Sequence, residues 1–320
     1  MSIGQRVGMD RNRASRRLKL RQLEILLTVA DTGSMAKAAT RLAVTQPAIS
    51  RAVAEAEHAL GVPLFDRGTQ GVIPTQYGHA LLKRGIAAFD EIDQGIRDIE
   101  FLADPTAGEL RIGAPAGMSE AIILAVINRL SRQYPRIAFH VAIVTGSALL
   151  EQLRDRHIEL GFDPLAEAVG GEDVEVERLY DAPLIVVAGV DNPWQRRRKI
   201  RLAELVNEPW TWPPPGSSYD SLVVGAFRAC DLEPPRAAVY THAINLRVSL
   251  AATGPFLAVV AATTVGTPSK YPSIRKLPVD LPTARQAVHV VTLKKRTLSP
   301  LARLFLECAR EIAAPLARRL

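Results

Sequence analysis

Along residues 46–60 the apolar positions recur at steps of four, three and four, so Ile49, Val53, Ala56 and Leu60 make one stripe down a helix. Gln46, Ser50, Arg51 and Glu55 fall off that stripe, and Gln46, Pro47, Ser50 and Arg51 gather at the N-terminal end. Immediately upstream, Ser34–Leu42 reads as a shorter helix, with Gly33 and Ser34 leading into it and Ser34 as its N-cap. Ala38, Ala39 and Leu42 lie at the three- and four-residue steps that face a neighbour, and small alanines allow a close, steep helix crossing. Ala43 and Val44 leave room only for a tight turn before Thr45, and Pro47 falls in the first turn of the next helix, where a missing N–H costs nothing. The run Gly61–Arg67 then leads into Gly68–Thr75, two short extended pieces around a glycine-containing tip that make a small hairpin, the wing. The pattern predicts a winged helix-turn-helix over residues 18–75.

In such a motif the N-terminal end of the second helix enters the major groove of double-stranded DNA. Glutamine can pair bidentately with adenine, arginine with guanine, and serine with a phosphate or a base. Ser34, Thr45, Gln46, Pro47, Ser50, Arg51 and Arg67 are therefore the candidate DNA contacts, with Thr45 and Arg67 placed to hold the backbone. Two alternatives stay open at this stage. The helix pair also suits an ordinary helical bundle, and Arg67 also suits a surface ion pair with Asp66 or Glu57.

Residues 76–103 read as one long helix in which Leu82, Phe89, Ile92, Ile96 and Ile99 hold heptad-compatible positions and acidic residues crowd the other faces. The repeat suits a two-helix dimer seam, or a helix packed on its own domain. A dimer would present two reading helices, and hence match an interrupted inverted repeat. Residues 104–108, Asp-Pro-Thr-Ala-Gly, form a hinge. Strand and helix signals then alternate: strands at 109–114, 137–144 and 158–162, and helices at 119–132 and 147–156. A second series starts at Pro183 and ends in a helix at 299–314. Short loops between them predict a mostly parallel sheet covered on both faces.

Ligands in open α/β sheets sit beyond the C-terminal ends of strands. Four loops answer that description: Pro115-Ala116-Gly117-Met118-Ser119, Thr145-Gly146-Ser147, the Trp212–Ser218 loop with Pro213, Pro214, Gly216 and Ser217, and the segment around His242. The proline-rich loop offers hydroxyls and the aromatic face of Trp212. Asp163 either accepts a ligand hydroxyl or caps a turn, and His242 is either a pH-sensitive contact or a structural histidine.

Charge sharpens the division of labour. Up to residue 84 there are 13 Lys/Arg against 6 Asp/Glu, an excess equal to the +7 of the whole chain, so a polyanion partner belongs to the N-terminal part. Residues 1–17, with Arg11, Arg13, Arg16 and Arg17, read as a disordered basic arm or a variable solvated segment. The run Arg196–Arg201 reads as a solvated basic loop, with a contact to DNA or a partner subunit as the alternative. Cys230 and Cys308 lie far apart and in no metal-ligand spacing. No apolar run reaches bilayer length and no signal-peptide pattern opens the chain, which predicts a cytoplasmic protein without membrane contact. No nucleophile elbow, phosphate loop, zinc pair or dinucleotide fingerprint occurs, so neither an enzyme nor a bound cofactor or metal is expected.

Leu20-Arg21-Gln22-Leu23, Gly33-Ser34, Ala38-Ala39, Gln46–Arg51, Gly61–Arg67 and Thr75–Gly78, in this order and spacing, resemble the signature of LysR-type transcriptional regulators. The resemblance runs from residue 18 to about 312; Met35 stands where an aromatic is usual and Ala56 where a leucine is usual. It implies a winged helix-turn-helix with a dimerising linker helix and a two-lobed effector domain like the periplasmic binding proteins. Lobe one would comprise 109–181 and 283–320, and lobe two 182–282. It implies a homodimer or homotetramer, RNA polymerase as a partner, and a small-molecule effector in the interlobe cleft. The Trp-Pro-Pro-Pro-Gly-Ser loop resembles the branch containing the galactose-binding-protein regulator, which points to a sugar or sugar acid, with an aromatic catabolite as the competitor. Pro115, Ala116 and Gly117 stand where carboxylate-binding members often carry a hydroxyl. The alternative from another class is a solute-binding or catalytic α/β module whose DNA binding is incidental.

Overall fold

The computed structural model describes residues 18–68, 71–164, 171–265, 271–282 and 284–319; the arm at 1–17 and the wing-tip residues Thr69 and Gln70 lie outside them. Two compact units divide between Gly95 and Ile96.

The first unit holds α1 (Leu20–Thr32), α2 (Met35–Arg41), α3 (Gln46–Leu60), a hairpin of β1 (Phe65–Gly68) and β2 (Gly71–Pro74), and the start of α4 (Gln76–Ala103). Its core is the expected helical stripe: Ile49, Val53 and Ala56 of α3 pack with Ile25, Leu26 and Val29 of α1 and Met35, Ala38 and Ala39 of α2. Ser34 caps α2, accepting from the Lys37 N–H at 3.4 Å, and Pro47 sits in the first turn of α3. Ala43 takes φ 52° to close the turn between the two helices. Three anchors outside the apolar pattern set the wing. The Glu57 carboxylate accepts from the Leu64 and Phe65 N–H groups at 2.7 and 3.2 Å. The Thr75 hydroxyl donates to the Pro63 carbonyl at 2.8 Å and accepts from the Gly78 N–H at 3.1 Å. The Val72 N–H reaches the Gly33 carbonyl at 2.9 Å.

The heptad reading of α4 needs one correction. Leu82 is buried in the core of the first unit, and Gly85 lies against Leu23, so the N-terminal half of the helix is packed on its own domain and Leu82 is not available to a seam. Phe89 is half-buried. Ile92, Ile96, Ile99 and Leu102 stand out at 42, 50, 68 and 80 % exposure.

The second unit is built on a nine-stranded sheet in the order β4-β3-β5-β11-β6-β9-β7-β8, with β10 also against β6. The strands are β3 (Ala107–Ala114), β4 (Arg136–Ile143), β5 (Leu160–Asp163), β6 (Val174–Gly189), β7 (Trp210–Trp212), β8 (Val239–Tyr240), β9 (Leu257–Ala261), β10 (Ile274–Lys276) and β11 (Arg285–Leu293). Parallel pairing holds for β3 with β4 and β5, and for β7 with β8 and β9. The sheet as a whole is mixed rather than mostly parallel, because β11 runs antiparallel to β5 and β6, and β6 antiparallel to β9 and β10. The proposed lobe boundary at 181/182 falls inside the 16-residue β6, which is shared by both halves. Its first half was not legible as a strand because Arg178 and Asp181, an ion pair, interrupt the apolar alternation.

Helices cover the sheet: α5 (Ala116–Met118, a π turn Ser119–Ile123, then Leu124–Gln133), α6 (Gly146–Arg154), α7 (Ser218–Arg228), α8 (Ile244–Thr253), α9 (Ala262–Val265) and α10 (Pro300–Arg319). The main core joins both halves through Phe162 and Phe305 on one side and the edge-to-face cluster of Trp210, Trp212 and Phe227 on the other. No helix among the described residues is long and apolar enough to cross a membrane.

Candidate nucleic-acid interface and ligand cleft

The reading end of α3 is built by burying its opposite face. With Ile49 fully inside, Thr45, Gln46, Pro47 and Arg51 are exposed and Ser50 is half-exposed. Thr45 is the N-cap residue of α3 but its side chain makes no capping bond, so the hydroxyl is free for a phosphate. Ser34 spends one lone pair on its own cap and keeps its proton to donate. Arg51 and Arg67 are exposed and make no ion pair among the described residues, whereas Arg41 is held by Asp31. Glu57, one of the two alternative partners of Arg67, is instead committed to the backbone before the wing. The DNA-contact candidates are thus exposed or half-exposed, on the first turns of α3, at the N-cap of α2 and in the first strand of the hairpin.

In the second unit the ends of β3, β4, β5 and β7 and the starts of α5, α6, α7 and α8 surround a cleft of about 510 Å³, within the usual span of roughly 300–1,000 Å³ for small-molecule sites. Pro115, Ala116, Gly117, Met118, Thr145, Gly146, Asp163, Pro213, Ser217 and His242 line it, as the loop positions led us to expect. Ser119, Ser147, Pro214 and Gly216 do not. The Ser119 hydroxyl turns back onto the Pro115 carbonyl at 3.1 Å inside the π turn, and Ser147 is exposed beside the cavity. Trp212 offers no aromatic face, being 2 % exposed and enclosed by Trp210 and Phe227.

Of its two open roles Asp163 fills the capping one: buried at the cleft wall, it accepts from the Gly146 N–H at 2.9 Å and fixes the first turn of α6. Asp220 does the same work for the proline-rich loop. Its carboxylate accepts from Trp212 Nε1 at 2.7 Å and from the Gly216 N–H at 2.8 Å, while Ser217 caps α7 by accepting from the Asp220 N–H at 3.2 Å. Asp220→Ala would strand a buried indole N–H, and we expect it to cost about 1–3 kcal/mol. An unchanged denaturant midpoint, followed by tryptophan fluorescence, would show that Asp220 does not carry this load.

Sequence reading missed Tyr219, Arg247, Thr264 and Gln286, all of which line the cleft. For Arg247 a signal existed. It occupies the second position of the buried stripe Ile244, Arg247, Val248, Ala251, where a cation is out of place on an apolar helix face. Its Nη1 donates to the Val259 carbonyl at 3.2 Å and its Cζ lies 5.0 Å from the centre of the Tyr219 ring. Burial is the largest influence on both groups, lowering the Arg247 pKa and pushing the Tyr219 phenol up to about 12.

Comparison with known proteins agrees with both halves. A family model described as the bacterial regulatory helix-turn-helix protein, lysR family, matches residues 20–79, and one described as the LysR substrate binding domain matches residues 103–314. The HTH-type transcriptional regulator GbpR of Azospirillum brasilense is 26% identical over 304 residues, spanning 95% of this chain and 89% of that protein. Among solved structures, CbnR, a LysR family transcriptional regulator, superposes with a TM-score of 0.56 at 22% identity, over 91% of this chain and 100% of that one. A full-length OxyR variant from Pseudomonas aeruginosa gives a TM-score of 0.65 at 20% identity, over 91% and 94%. These two share the fold.

Proposed function

Because the chain belongs to the LysR family of transcriptional regulators, and so pairs a DNA-binding domain with an effector-binding domain, we propose that the exposed end of α3 reads an interrupted inverted-repeat operator. Gln46, Pro47, Ser50 and Arg51 meet bases or adjacent phosphates, and Ser34, Thr45 and Arg67 hold the backbone. Two reading helices come from a homodimer, or a dimer of dimers, joined through α4. Its exposed Ile92, Ile96 and Ile99 support that seam. A small molecule in the cleft (a sugar, sugar acid or aromatic catabolite) shifts the population between two assemblies, and with it DNA bending and contact with RNA polymerase. For that it must bind the two assemblies with different affinity.

The observation that carries this reading is that Arg51 on α3 and Arg67 on the hairpin are exposed and make no ion pair among the described residues, on a unit whose helices bury their apolar faces against one another. The test is fluorescence anisotropy with the intergenic DNA beside the gene, against scrambled competitor at physiological salt. Specific binding with Kd on the order of 10⁻⁸ M or tighter is expected. Binding that is weak and tracks only salt would reject it. In the same assay Arg67→Ala should weaken all sequences alike and lower the salt slope by about 1. A change in base preference instead would make Arg67 a base contact.

A further inference from the structure

Arg247 is 5 % exposed, yet it lines the cleft. Its Nε is buried with no hydrogen-bond partner, and no carboxylate among the described residues pairs with the guanidinium. A cation taken out of water without a counter-charge is unfavourable unless something that arrives later supplies one. Tyr219, its stacked neighbour, is a neutral phenol at ordinary pH and supplies no charge. We propose that the cleft takes a singly charged small organic acid whose carboxylate docks on Arg247 over the Tyr219 ring.

The proposal rests on the cleft being the effector site, and it narrows the ligand from neutral sugars to acids. It also relocates the acid group. The first loop, Pro115-Ala116-Gly117, has no hydroxyl for a carboxylate, so the acid end faces α8 instead. The remaining wall suits the body of such a molecule. Thr145, Ser217 and Thr241 bring hydroxyls, and Met118, Ile143 and Ile244 bring apolar surface. Asp163 brings a carboxyl group to the same cavity, so a doubly charged phosphate monoester would leave one of its charges opposed rather than paired.

The test uses the full-length protein at constant ionic strength, following the melting temperature with galacturonate against galactose, benzoate against benzamide, and inorganic phosphate. At least one acid should stabilise the wild type with an apparent affinity roughly ten- to a hundredfold above that of its neutral counterpart, the range for hydrogen bonds to a charged group. Arg247→Met should abolish the preference and, free of ligand, melt no lower than the wild type, since it removes an unpaired buried cation; Arg247→Lys should keep part of the preference. Equal stabilisation by neutral counterparts, no stabilisation by either acid, a preference that survives Arg247→Met, or a ligand-free Arg247→Met that melts several degrees lower would each overturn the proposal. So would phosphate outcompeting both acids, which would assign the site to phosphorylated ligands. Operator affinity is measured on the same samples. Acid preference without operator binding leaves this site standing and removes the regulatory reading, whereas operator binding without acid preference removes only the site.

Discussion

Gly78→Ala is expected to lower the stability of the N-terminal unit by about 3 kcal/mol, the upper part of the range for forcing an atom into a packed site. A Cβ at this position would lie 2.1 Å from the Leu64 carbonyl oxygen and 3.2 Å from Pro74 Cβ. Neither neighbour can yield cheaply. The Leu64 carbonyl accepts from the Thr75 N–H at 2.9 Å, and the Leu64 side chain is 1 % exposed in the core. The same first turn of α4 is tied to the wing through Thr75, so relieving the clash would move the hairpin that carries Arg67. All three tryptophans (Trp194, Trp210 and Trp212) belong to the second unit, so their fluorescence should report an unchanged transition while far-UV circular dichroism shows an earlier one. Gly95→Ala is the control. Its Cβ would meet nothing within 4 Å in mid-helix, and about 1 kcal/mol of stabilisation is expected from the better helix former. If both variants unfold like the wild type, the packing account of Gly78 is wrong.

Arg51→Ala is expected to weaken operator binding by about 1–3 kcal/mol, roughly five- to 150-fold, with loss of preference at one base pair per half-site. Arg51 is exposed in the second turn of α3, near the end placed by Pro47 and Ala43, and makes no ion pair among the described residues. An arginine with its fork free can bond the O6 and N7 of a guanine together, and no single-donor side chain reproduces that pairing. Affinities for a panel of single-base operator variants discriminate the outcomes. Selective loss at one position identifies a base contact; uniform loss identifies a phosphate contact; no loss removes Arg51 from the interface. Melting should be unaffected, because Arg51 contributes nothing to the core of the first unit.

Much of this architecture could be read along the chain. The four-three-four stripe of α3, the cap at Ser34 and the proline at position 47 specify a helix-turn-helix locally, since each acts within a turn or two of its own position. The cleft loops were legible for a related reason: strand-to-helix junctions recur at the same end of a βα unit, so Pro115–Met118, Thr145 and Gly146 fell where expected. Reading failed where a residue's role depends on a distant segment. Leu82 and Phe89 fit one heptad pattern, but Ile25, Leu26 and Val29 of α1, far back along the chain, claim Leu82 for the core. Ser119 sits at a promising junction, yet its hydroxyl folds back onto the Pro115 carbonyl one helical turn earlier.

The two-part organisation, the helix that presents Gln46, Ser50 and Arg51, and the concentration of positive charge on that half are written along the chain. Periodicity and capping are short-range, so the order of residues is enough to establish them. That β6 is one strand shared by both halves, and that the sheet is mixed, emerges with the fold, because strand pairing is chosen by partners far away in the chain. The fold likewise leaves Arg247, which lies on the apolar stripe of α8, without a counter-charge among the described residues at the cleft. The environment of a side chain is set by β9, by Tyr219 and by the other elements folded around it, and no local pattern encodes what will be missing there.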